Sequence, residues 1–197
     1  MKDAAQRHST GAAAPKISVR NLVSKYGDTV VLNGVSLDVM GGETVAIVGE
    51  SGSGKSTFLR CLIGLCKPTD GEVYIKGQDI TKISAEEFDN IRKRFGVLFQ
   101  GSALFNSMSV ADNIALPLRE HTKLDESVID IMVKIKLELV GLTGAERLFP
   151  AQLSGGMQKR AALARAMAMD PEILFFDEPS AGLDPRMAAD IDSLILK

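Results

Sequence analysis

The chain has 197 residues, 45% of them apolar and 24% charged, with a formal net charge of −2. This is the length of about one domain with a sizeable core and the composition of an ordinary globular protein. The charge balance offers nothing to hold nucleic acid, no run approaches the roughly 18 apolar residues of a membrane span, and the N-terminus lacks the apolar core of a signal peptide, so a cytoplasmic chain is expected.

Residues 1–15 are polar and alanine-rich without apolar periodicity, which predicts a loosely held tail. Residues 17–23 and 35–39 have strand character, the second alternating Val35, Leu37, Val39 around Ser36 and Asp38, and predict a small antiparallel sheet. Tyr26, beside Gly27, is either a turn residue or a platform for a flat ring. Residues 43–48 (ETVAIV) read as a short buried strand and 56–65 (STFLRCLIGL) as an apolar helix, and between them lies GESGSGKST. Gly49, Gly54, Lys55 and Ser56 have the spacing G-x-x-x-x-G-K-[ST], with Gly52 inside the loop, so backbone N–H groups can close on an anion where β-carbons would crowd it. Strand, glycine loop and helix N-terminus aim several donors at one place. Lys55 is then expected to reach the β and γ phosphates of a triphosphate, and the Ser56 hydroxyl to ligate Mg²⁺. A dinucleotide fingerprint fails, because its third glycine would fall at Thr57.

Cys61 and Cys66 have no neighbouring His or Cys and read as core thiols, while His8 and His121 have no catalytic partner in sequence. The short basic clusters Arg92-Lys93-Arg94 and Lys159-Arg160 read as solvated helix faces. Residues 67–71 (KPTDG) are a turn and 72–76 a further strand. Ser84 and Glu87 have capping-box spacing and open a helix to about Arg94. Residues 95–99 (FGVLF) form an apolar strand ending at Gln100, where an amide can enter a site at the strand's carboxyl end.

From Gly101 to Arg165 the pattern is helical and predicts an inserted subdomain. Asp125 can cap a helix stopped by Gly141, with Val128, Ile131, Met132, Ile135 and Leu139 as its core stripe. Ser154 can cap a further helix over 158–169, and Gly155 and Gly156 leave its first N–H groups accessible as a second anion site. Residues 173–176 are an apolar strand ending in Asp177-Glu178, a pair that fits Mg²⁺ binding and activation of a water, or equally an exposed turn. SAGLDP (180–185) follows as a loop, and a helix begins at about Arg186.

In this order the pieces resemble the nucleotide-binding subunit of an ABC transporter, over about residues 17–197. The Walker A motif is 49–57, the Q-loop residue Gln100, the signature 153–157 (LSGGM) ahead of an alanine-rich helix, Walker B 173–177, and the D-loop 180–184. The resemblance implies an α/β P-loop NTPase with a RecA-like core, an N-terminal antiparallel β-subdomain and a helical subdomain over about 101–165, the whole forming one ABC ATPase domain over 16–197. It implies that ATP is held by Tyr26, stacked on adenine, and by Gly49, Glu50, Ser51, Gly52, Ser53, Gly54, Lys55, Ser56 and Thr57, with Mg²⁺ on Ser56, Gln100 and Asp177. Glu178, Gln100 and Lys55 are the expected catalytic residues. Two subunits would pair head to tail, so that Ser154, Gly155 and Gly156 of one contact the γ-phosphate held by the other. An integral membrane permease is the implied partner, and the implied location is the cytoplasmic face of the membrane.

Residues 98–122 (LFQGSALFNSMSVADNIALPLREHT), followed by a signature ending in Met157, are similar to the ATPases of Mla-type phospholipid transporters, the group associated with Mce-domain lipid-binding proteins. The Gly101-Ser102 order departs from the serine-glycine expected there. Only 19 residues follow Glu178, and the switch histidine of the family is not reached. The chain is therefore expected to be incomplete at its C-terminus, with an unpaired sheet edge. Three other readings stay open, an ABC ATPase for another cargo, a soluble ABC protein of repair or translation, and a truncated nucleotide-binding module that does not hydrolyse.

Overall fold

The structure is a computed structural model and describes residues 14–196. The chain divides into two compact units, residues 1–88 and 89–197. The tail expected at 1–15 lies, but for its last two residues, outside the described residues.

The first unit is built on β1 (Ile17–Tyr26). On one side it pairs antiparallel with β2 (Thr29–Val39), in the register Ile17↔Val39 and Val19↔Leu37. On the other it pairs with β3 (Asp70–Ile75), in the register Ile17↔Ile75 and Val19↔Val73, and the two-residue β4 (Gln78–Asp79) completes the order β2-β1-β3-β4. Alternation puts Ile17, Val19, Leu22, Val73 and Ile75 in the core, and each such side chain contributes about 1.5–3 kcal/mol on burial. The helix α1 (Lys55–Leu62) buries Phe58, Cys61 and Leu62. Burial raises the Cys61 thiol to about 11, so it is an inert packing group as expected.

The expected strand at 43–48 is not formed. Among the described residues it pairs with no strand, and Ile47 and Val48 are 48% and 88% exposed. An apolar run selects a strand only when a ladder partner exists, and the four-stranded sheet satisfies its strands without this one. The capping box at α2 (Ala85–Arg92) is present: Glu87 N donates to Ser84 Oγ at 3.2 Å, and Ser84 N to Glu87 Oε2 at 2.9 Å.

In the second unit β5 (Phe95–Leu98) and β6 (Ile173–Phe176) run parallel, Phe95 opposite Ile173 and Leu98 opposite Phe176. Around them stand α3 (Val110–His121), α4 (Glu126–Leu139), α5 (Gly155–Ala166) and α6 (Pro185–Ile195). The core joins Val110, Ile114 and Leu118 of α3, Ile129, Val133 and Leu137 of α4, and Ala161, Leu163 and Ala164 of α5. Of the core stripe expected for α4, only Met132 packs against this core. Val128, Ile131, Ile135 and Leu139 are all at least 40% exposed, because the helix is apolar on two faces and periodicity alone does not say which one packs. Helix α5 starts three residues earlier than its apolar pattern suggested, since the cap at Ser154 admits both glycines to the first turn.

Gly96 allows the close approach of α5 to β5, where a Cβ would run into the carbonyl oxygen of Ala166. Gly96→Val is expected to destabilise the unit by about 1–3 kcal/mol, read as a lower urea midpoint at unchanged m-value. Arg119 bridges Asp112 at 3.0 Å and Glu126 at 2.8 Å. The Ser109 hydroxyl and then Arg119 hold the Asp112 carboxyl below the usual aspartate range. A lowered folded-state pKa gives stability that is present above the unfolded value and is lost as pH falls through the folded one. Between about pH 5 and pH 3 the urea midpoint should accordingly fall less steeply in Asp112→Asn than in the wild type.

Candidate functional site

In the first unit, residues 49–54 lead into α1, with Gly54 as its N-cap at φ 95°. No acidic side chain stands in the first turn, so a helix start with its dipole and N–H donors faces the loop without an internal counter-charge. Gly52 also has positive φ, 81°. A Cβ on Gly49 would lie 2.8 Å from Ser53 Oγ, and one on Gly54 3.1 Å from the Val31 carbonyl oxygen. Gly54 is therefore required by space as well as by dihedral, and Gly52 by dihedral alone. Lys55 Nζ donates to the carbonyl oxygens of Gly49 (2.9 Å) and Glu50 (2.8 Å), holding its ammonium across the loop mouth. Tyr26 stands at the end of β1, 51% exposed, with its hydroxyl 3.9 Å from Cys66 Sγ.

The second unit brings Gln100 to the adjacent pair Asp177-Glu178, far from it in sequence. Because β5 and β6 end side by side, and Asp177 N extends their ladder to Leu98 O at 2.9 Å, Gln100 comes to lie beside Asp177-Glu178. Its Nε2 donates to Glu178 Oε2 at 2.9 Å. Glu178 has a φ of 49°, a left-handed conformation that is costly for a residue with a β-carbon. Asp177-Glu178 lies in a bend that runs into a turn with Glu178 exposed, as the turn reading expected, and within it Glu178 makes this defined contact. Ser154 Oγ accepts from Met157 N at 3.3 Å, capping α5 and leaving Gly155 and Gly156 in its first turn. After Glu178 the chain turns through Ala181 N→Glu178 O (3.1 Å) into α6, where the Asp184 carboxylate accepts from Arg186 N and Met187 N.

Lys159 and Arg160 are not a solvated face. Lys159 is 5% exposed and donates to the carbonyl oxygen of Gln100. Burial lowers its pKa, opposed by the charges of Asp177 and Glu178. Arg160 donates to Val140 O at 3.1 Å and reaches Asp190 Oδ2 at 3.4 Å. Arg165 donates to Ala103 O (2.8 Å) and Ser102 O (3.1 Å), and burial lowers its pKa too. Asn113, fully buried, donates to the carbonyls of Phe105, Met108 and Ser109 and accepts from Phe105 N. Sequence reasoning did not single out Lys159, Arg165 or Asn113 as contacts of this loop. The available signal was long-chain cations in a helix otherwise rich in alanine. The Arg92-Lys93-Arg94 cluster is solvated as expected.

The family described as "ABC transporter" matches residues 32–181. The chain belongs to the ABC transporter family. It is 51% identical over 180 residues to the "probable ribonucleotide transport ATP-binding protein mkl" of Mycobacterium leprae, covering 91% of this chain and 52% of that one. It is 50% identical over 179 residues to the "intermembrane phospholipid transport system ATP-binding protein MlaF" of Haemophilus influenzae, covering 91% and 68%. The ABC chain thus spans about half the length of the mycobacterial relative. A solved ATP-binding cassette, dimeric in a post-hydrolysis state with ADP and Pi, superimposes with a TM-score of 0.83 at 33% identity over 91% of this chain and 81% of that one.

Loss of the Lys55 ammonium removes a charged hydrogen-bond donor worth about 1.5–3 kcal/mol. Lys55→Ala should weaken ATP binding by roughly 10- to 100-fold in calorimetry, and retained affinity would remove the loop from the site.

Proposed function

We propose that this chain is the ATP-binding and hydrolysing part of an ABC transporter, driving phospholipid movement across the cell envelope through a separate permease. The observation that carries the hydrolytic reading is the 2.9 Å bond between Gln100 and Glu178 at the ends of two parallel strands, beside Asp177. It puts an amide able to orient a water next to a carboxylate able to take its proton.

In this reading the water oxygen attacks the γ-phosphorus, the bond to the β–γ bridging oxygen breaks, Glu178 accepts the proton, and ADP leaves with that oxygen. Lys55 and the N–H groups of residues 51–57 stabilise the charge that builds on the phosphate oxygens, and Tyr26 offers an exposed ring to adenine. Ser154, Gly155 and Gly156 hold the γ-phosphate of a second copy in a head-to-tail dimer. The donors of this reading, the Ser56 hydroxyl, the Gln100 amide oxygen and the Asp177 carboxylate, are hard oxygens of the kind that suits Mg²⁺. Ser56, Gln100 and Asp177 would hold such an ion, which would supply positive charge against the phosphate oxygens. Residues 16–197 act as one ATPase domain, with its helical subdomain at about 101–165.

Among the described residues no helix is long and apolar enough to cross a membrane. In this reading a separate integral membrane permease is the partner, and the ATPase sits peripherally at the inner membrane face. The cargo reading rests on residues 98–122 and their likeness to Mla-type ATPases, the group that works with Mce-domain proteins. Ribonucleotide, from the name of the mycobacterial relative, is the second reading.

Glu178→Gln should lower turnover by about 10²- to 10⁴-fold while ATP binding persists and an ATP-bound dimer accumulates on size exclusion. Unchanged turnover would assign the base elsewhere. The complete protein, reconstituted with its permease in proteoliposomes, should move labelled phospholipid on ATP addition. Movement of ribonucleotide instead would overturn the cargo.

A further inference from the structure

Helix α5 carries three cations that the proposed chemistry does not use, and two of them, Lys159 and Arg165, end on main-chain carbonyls of one loop. Lys159 Nζ donates to Gln100 O, and the Arg165 guanidinium donates to Ser102 O at 3.1 Å and Ala103 O at 2.8 Å, with its carbon 5.9 Å from the centre of the Phe105 ring. Taking an ammonium out of water costs several kcal/mol unless it is well paired, and the hydrogen bond that Lys159 makes is to a neutral carbonyl. Hydrophobic packing would be the cheaper use of that volume.

The loop it holds is strained. Ser102 and Ala103 lie consecutively at φ 61° and 52°, a left-handed conformation costing roughly 1–2 kcal/mol per residue. Such conformations persist where the surroundings over-determine them, and the carbonyls of these two residues are the ones Arg165 fixes. The Gln100 side chain, one peptide from the Lys159 contact, donates to Glu178, itself at φ 49°. One helix therefore has at its N-terminus Ser154, Gly155 and Gly156, and about 7.5 Å further along its axis the backbone of Lys159, whose ammonium holds Gln100.

We propose that Lys159 and Arg165 are positioning residues, a two-point clamp through which α5 sets the main chain of residues 100–103 and so holds the Gln100 amide on Glu178. The catalytic part of this assignment rests on the ATPase reading above; the clamp itself does not. Any shift of α5 when its N-terminus meets phosphate would then be transmitted to Gln100 by these two contacts, without a separate relay.

Lys159→Met keeps the length of the side chain and removes the donor and the charge. In the complete protein it should raise amide hydrogen exchange at residues 99–105 by at least about tenfold while β6 and the body of α5 keep their protection, and Lys159→Arg should restore most of it. Turnover should show a kcat about tenfold lower with the KM for ATP unchanged, again recovered by arginine. Unchanged exchange at 99–105, or a loosening spread over the whole unit, would overturn the clamp, as would a raised KM with normal kcat. Should Lys159→Met not fold, Lys159→Gln, which keeps a neutral donor, is read by the same two measurements. A wild-type protein with no turnover at all would sink the ATPase reading, and the exchange result would still decide the clamp.

Discussion

The parallel pairing of β5 and β6 is the constraint on which the second unit depends. Gln100 and Glu178 are 78 positions apart, and nothing local in either segment tells one of the other. They meet because two four-residue strands share a direction and end level with each other, so whatever follows each strand shares one edge, the place where open α/β sheets present their chemistry. The intervening helices serve that pairing. Parallel strands need a long connection, and the one used here carries α5 back against β5 closely enough that Gly96 can tolerate no side chain.

Much of this was legible because the signals were local. The capping box of Ser84 and Glu87, the cap at Ser154, the stop at Gly141 and the glycine spacing from Gly49 to Gly54 each depend on residues within a few positions, where side-chain chemistry acts on the backbone directly. The antiparallel β1–β2 pair was readable from alternation. What failed depended on partners at a distance. The run 43–48 has the composition of a strand but finds no ladder among the described residues. In α4 the stripe of Val128, Ile131, Ile135 and Leu139 and the stripe of Ile129, Val133 and Leu137 are equally periodic, and only the neighbours supplied by α3 and α5 choose the second.

Cations were the other blind spot. In sequence, Lys159-Arg160 has the look of any charged helix surface, since most lysines keep their ammonium in water. The structure uses them otherwise: Lys136 reaches the Asp170 carboxylate, Lys159 the Gln100 carbonyl, Arg160 that of Val140, and Arg165 those of Ser102 and Ala103. Three of the four, Lys159, Arg160 and Arg165, bring charge to main-chain carbonyl groups at loops and helix ends. Arginine and lysine here complete the loops that the hydrogen-bonded elements leave unfinished.

The resting position of Lys55 has a consequence for how a ligand is received. Its ammonium already lies on the Gly49 and Glu50 carbonyls, so the side chain has given up most of its rotational freedom before any anion arrives. A phosphate entering the loop exchanges two neutral acceptors for charged ones and orders little that was not ordered already. Association of this kind loses less entropy than closing a slack loop around a ligand. In the proposed reading, the part of the heat of binding that comes from Lys55 is the difference between two sets of hydrogen bonds to one ammonium, and its size understates how strongly either set is held.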